Sequence, residues 1–68
     1  MTVRLDTTAI KKAMAEKRMT TAALARLMGC KPQNVGLMIN RGTCSHISAG
    51  LIADALGVEI EEIWKEGA

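Results

Sequence analysis

Apolar residues return every three or four positions along most of this chain, and each run is bounded by a residue that starts or stops a helix. Asp6, Thr7 or Thr8 can cap a first helix whose inward stripe is Ile10, Ala13 and Met14 and which ends near Arg18. Thr20 offers an N-cap oxygen for a second helix over about Thr21 to Met28, and Gly29 tolerates the left-handed conformation that closes it. Pro32 restarts the chain at once. Proline fits the first helical turn, where its missing N–H would be unpaired anyway, so a third helix is predicted from Pro32 to about Asn40. "NRGT", Asn40 to Thr43, reads as a turn. Ser45 or Ser48 then caps a fourth helix through Leu56 that carries Ile47, Leu51, Ile52 and Ala55, and Gly57 ends it. Val58 to Lys65 has room for a short fifth helix, with Val58, Ile60, Ile63 and Trp64 as its apolar members. "TVRL", Thr2 to Leu5, could be a strand, but an isolated strand has nothing certain to pair with. The expected fold class is therefore all-α, with five helices.

Length narrows the function classes. The chain has 68 residues, which suits a single domain over 1–68. Folding at that size buries only about 60% of the unfolded surface, which leaves little room for a deep catalytic cavity. Trp64 is the one aromatic among Phe, Trp and Tyr, so the core must come from Leu, Ile, Met, Val and Ala. No apolar run approaches the ~20 residues of a membrane span, and polar and acidic residues interrupt the opening "MTVRLDTTAI" where a signal peptide needs its apolar stretch. A cytoplasmic protein is expected, with no membrane partner.

Candidate chemistry is sparse. Cys30 and Cys44 form no C-x-x-C pair, so ordinary buried thiols are expected rather than a zinc framework or a redox motif. His46 with the two thiols lacks the spacing of a metal site and reads as a capping or surface residue. Ser45 and Ser48 have no His/Asp partner pattern and read as helix caps. The expectation is a protein that is not an enzyme, with no cofactor, no metal and no small-molecule ligand evident.

Charge adds a direction. From Met1 to Ile52, eight Lys or Arg stand against Asp6 and Glu16, a net +6, whereas Ala53 to Ala68 holds Lys65 against five carboxylates, a net −4. Such segregation suits a basic surface for a polyanion with an acidic face turned away.

Thr21 to Asn40 forms a twenty-residue bihelical unit. If its two helices cross through a three- or four-residue turn, the inward places are Leu24, Ala25, Met28, Cys30, Val35 and Met38, all apolar. The outward places of the second helix are Lys31, Gln33, Asn34, Gly36 and Asn40, with Leu37 the apolar exception. On these residues "TTAALARLMGCKPQNVGLMINRG" resembles the helix-turn-helix family of phage Cro and repressor proteins, the xenobiotic-response-element family. Ala25, Gly29, Val35 and Met38 fall on its signature spacing, and "LIADALGVEIEEIW" is similar to its closing segment.

The resemblance implies a compact five-helix bundle of the phage repressor type, with the helix-turn-helix at about 21–40 and the third helix in the major groove of double-stranded DNA. It implies base contacts from Lys31, Gln33 and Asn34, and phosphate contacts from Thr21, Asn40, Arg41 and Thr43. Pro32 and Leu37 stand where relatives carry polar readers, so apolar contact with thymine methyls takes a larger share. The function so implied is sequence-specific DNA binding by a transcriptional regulator, a repressor. One short reading helix reads few bases, so a homodimer is expected, joined through Ile60, Ile63 and Trp64 or through a paired "TVRL". The alternative is a protein-interaction module of the same fold, an antirepressor or accessory protein docking through the Leu37 surface.

Overall fold

The Asp6 carboxylate accepts a hydrogen bond from the Ala9 N–H at 3.1 Å and opens α1 (Thr7–Glu16). The computed structural model describes residues 2–65. Beyond Glu16 the chain reverses through Arg18, a non-glycine residue in the left-handed region with φ +52°. Its N–H donates to the Ala15 carbonyl at 3.1 Å and that of Met19 to the Met14 carbonyl at 2.8 Å, which satisfies carbonyls at the helix end. Thr20 accepts from the Ala23 N–H at 3.1 Å and starts α2 (Thr21–Met28).

α3 follows as Pro32–Arg41, one residue longer than expected, so Asn40 and Arg41 complete the helix and the turn contracts to Gly42. The Ser45 hydroxyl accepts from the Ser48 N–H at 3.1 Å and caps α4 (His46–Leu56), and α5 is a single turn, Ile60–Ile63.

The all-α expectation is corrected by a three-stranded antiparallel sheet. β1 (Thr2–Leu5) is the central strand, flanked by β2 (Thr43–Ser45) and β3 (Trp64–Lys65). Val3 lies opposite Cys44, Arg4 opposite both Thr43 and Lys65, and Leu5 opposite Trp64. "TVRL" therefore finds its partners about 40 and 60 residues further along the chain. Val3, Leu5 and Cys44 turn inward onto the helices, and Arg4, Ser45 and Lys65 turn outward.

Ile10, Leu24, Val35, Ile52, Leu56 and Ile63 are the largest fully buried side chains. The inward stripe of α4 also departs from expectation. Ala49, Ile52, Ala53 and Leu56 are buried, while Ile47 is 78% exposed and Leu51 faces solvent beside it. Two alanines, Ala49 and Ala53, lie on the buried face of α4, which packs against α2; small side chains allow close helix approach, and this rotation leaves Ile47 outward.

Ile63, only 1% exposed, is part of the protein's own core, and Ile60 and Trp64 pack against that core. Ile63 is therefore not available to a partner, while Ile60 and Trp64, the other members of the first dimer surface expected from the sequence, are half-buried. The second expected surface, a strand pairing through "TVRL", does not form, because β1 has both edges paired within the chain.

Candidate nucleic-acid interface

Three residues, Gly29, Cys30 and Lys31, separate α2 from α3, and Gly29 turns the corner at φ +74°. Its N–H donates to the Arg26 carbonyl at 3.2 Å, and the Cys30 N–H donates to the Ala25 carbonyl at 2.9 Å. That pair of bonds is the Schellman closure, which needs a left-handed residue and so favours glycine. Leu24, Ala25 and Met28 of α2 and Val35 of α3 are buried as expected. Cys30 and Met38 are half-buried against the core, and Ile39, which sequence spacing had not put inward, is buried.

Helical geometry orders the rest of α3. At about 100° per residue, Gln33 and Leu37 each lie about 160° from the buried Val35, with Asn40 beside them. Asn34 and Arg41 flank this line on one side and Gly36 on the other. Lys31, Pro32, Gln33, Asn34, Asn40 and Arg41 are all exposed, and Leu37 is 61% exposed, a large apolar side chain held in water. Thr21, the first residue of α2, and Thr43, the first of β2, are half-buried. The expected site residues thus gather on α3 and on the elements that abut its two ends.

Electrostatics favour an anion. α2, α3 and β2 contain no Asp or Glu, and the nearest carboxylates in sequence are Glu16 and Asp54. An α3 of ten residues is about 15 Å long and, with side chains, roughly 10–12 Å across, which matches a major groove about 12 Å wide. Among the described residues no three His, Cys, Asp or Glu side chains group to hold a metal ion, and no helix is long and apolar enough to cross a membrane.

Sequence reasoning allowed β1 as a strand but missed its two partners, and the outer face of the resulting sheet carries Arg4 and Lys65. The polar and apolar alternation of Thr2–Leu5 hints at the central strand alone, and the three- and two-residue strands that pair with it are too short to carry such a signal.

Two helices in contact through a three-residue glycine turn, the second with a polar and cation-bearing outer face, define a helix-turn-helix DNA-binding domain. A family model described as winged helix-turn-helix DNA-binding matches residues 5–66, and the chain belongs to that family. Its partner is double-stranded DNA, and the family is a DNA-binding rather than a catalytic one. The strand that follows α3 pairs with β1 and runs directly into α4, so among the described residues it forms no hairpin wing. No curated protein and no solved structure matches the chain.

Proposed function

We propose that the chain is a sequence-specific transcriptional repressor of the Cro and phage-repressor type, acting as a homodimer. The observation that carries this reading is the outer face of α3, where Gln33, Asn34, Leu37, Asn40 and Arg41 stand exposed with no carboxylate among them. Gln33 donates and accepts together, which suits the N6 and N7 edge of adenine. Asn34 reads the same edge or reaches a phosphate, and Lys31, at the start of the helix, contacts guanine or a phosphate. Leu37 and Pro32 offer apolar contact to thymine methyls. Thr21, Asn40, Arg41 and Thr43 hold phosphates on either side and fix the register without reading sequence.

Two or three base-reading side chains discriminate by only about 1–3 kcal/mol each. A homodimer on two half-sites about one helical turn apart doubles the readout. Selection of bound duplexes from a random pool, followed by sedimentation of the complex, tests this reading. The expected result is a pseudo-palindrome bound by two copies. A half-site bound by one copy as tightly as the full palindrome would refute the homodimer.

A second reading, a protein-interaction module of the same fold, draws on Leu27 and Leu37, each more than half exposed. Titration with nonspecific duplex at low salt separates the two: DNA binding is salt-sensitive, whereas an adaptor leaves the duplex free.

A further inference from the structure

Arg4 and Lys65 lie directly opposite each other on β1 and β3. In an antiparallel pair, directly opposed side chains share a face, and like charges so placed destabilise the sheet. The other outward positions of the sheet are Thr2, Thr43 and Ser45, so no carboxylate of the three strands offsets the pair. Lys65 is the single cation of the segment from Ala53 onward, which otherwise carries acids. The register sets it beside Arg4 instead of beside the Glu59–Glu62 segment.

Position supplies the reason for tolerating this pair. The Leu5 N–H donates to the Gly42 carbonyl at 2.8 Å, which ties β1 to the residue that ends α3. Arg41 is the last residue of α3, and Thr43, two positions on, opens the row Thr43–Arg4–Lys65 across the sheet. With strands about 4.8 Å apart, Lys65 lies roughly 10 Å from Thr43 along that row. Arg41 therefore stands two residues before the row on which Arg4 and Lys65 follow each other across the sheet.

We infer that the outer face of the sheet is a second DNA-backbone contact, in which Arg4 and Lys65 hold phosphates beyond those reached from α3. It rests on the DNA-binding reading of α3 and extends the footprint past it. The partner is the duplex backbone, so the contact adds affinity and salt dependence without base preference.

The test is fluorescence anisotropy of the full chain on a duplex of about 25 base pairs, more than two helical turns, across a salt series. Four proteins are compared: wild type, the double variant Arg4→Gln/Lys65→Gln, the charge-retaining Arg4→Lys/Lys65→Arg, and the control Lys12→Gln/Lys17→Gln. The control removes the same charge elsewhere, because Lys12 lines the groove between α1 and α5 with Glu16 and Glu62, and Lys17 reaches Gly57.

The Arg4→Gln/Lys65→Gln protein is expected to bind at least about tenfold more weakly at about 0.1 M salt, with a salt slope shallower by about 2. The charge-retaining variant binds like wild type, and the control changes the slope by less. Thermal unfolding of Arg4→Gln/Lys65→Gln at or above the wild-type midpoint shows that the loss is not one of folding. An unchanged slope in that variant, or an equal loss in the control, overturns the inference while leaving α3 binding intact. A wild type that binds no duplex overturns the DNA-binding reading itself.

Discussion

The imidazole of His46 meets the indole of Trp64 edge to face, with ring centroids 5.2 Å apart and planes at 74°. The contact joins the first residue of α4 to the first of β3. It ties the chain's last described strand to the first turn of α4. Trp64→Ala removes this contact and the indole's packing on the core, and is expected to cost about 2 kcal/mol of stability. Denaturant unfolding measures that loss. Sedimentation should show no change in assembly state, since Trp64 serves the protein's own fold.

Gln33→Ala is expected to cost about 1–3 kcal/mol on the preferred site and much less on random duplex. The side chain is exposed, so unfolding should be unaffected. Equal losses on both duplexes would place Gln33 among the backbone contacts.

Gly36 lies mid-helix, and a Cβ added there meets no atom within 4 Å. No intramolecular packing demands a glycine, so Gly36→Ala should stabilise the fold by about 1 kcal/mol. It should also weaken DNA binding, because the bare flank lets α3 sit deep in the groove. Stability and affinity that rise together would make Gly36 a tolerated surface residue.

Burial pushes the Cys44 thiol above its ordinary value of 9.0, while Cys30 is only half-buried, its Sγ 3.8 Å from the Met28 carbonyl. A thiol reagent should therefore label Cys30 first and Cys44 only on unfolding. The native state holds the Cys44 proton longer than the unfolded chain does. Stability contributed by this group is complete below the ordinary thiol value and is lost as pH rises from there through the higher folded value. Stability that stays flat through that alkaline range in wild type but falls in Cys44→Ala would contradict the assignment.

Arg18 closes α1 at φ +52°, where a side chain crowds the backbone. Arg18→Gly relieves that crowding at the expense of a freer unfolded chain, with a net gain of up to about 1 kcal/mol. Arg18→Val should lose stability, since a β-branched side chain suits the left-handed region least. Thermal unfolding of the two variants reads the difference directly.

The helix ends were legible in the sequence because their causes are local: Asp6 and Thr20 cap, Gly29 and Gly57 turn, and Pro32 sits where its missing N–H costs nothing. The outer face of α3 followed from spacing alone. The sheet did not, because strands of four, three and two residues are too short for a period to stand out, and their pairing is set by tertiary closure. The face of α4 was misread for another reason. Hydrophobicity favours Ile47 over Ala49 for the core, but close helix packing favours the smaller residue. Arg4 and Lys65 look like scattered surface charges until the register brings them together.

β1 stands between β2 and β3, and Leu5 is paired with a residue about 60 positions away. Drawing such distant segments together is slow relative to forming neighbouring helices, because the loop entropy is lost before the pairing repays it. α2 and α3 are adjacent and can associate early, so sheet closure is expected to be the late step. Until it occurs, β1 has unpaired backbone N–H and C=O groups on its edges and Val3 and Leu5 uncovered on one face, the kind of strand that recruits other chains. Any aggregation through β1 is thus expected before the sheet closes and not from the folded protein. A chain cut after Leu56 would keep the helix-turn-helix elements and leave one edge of β1 permanently open.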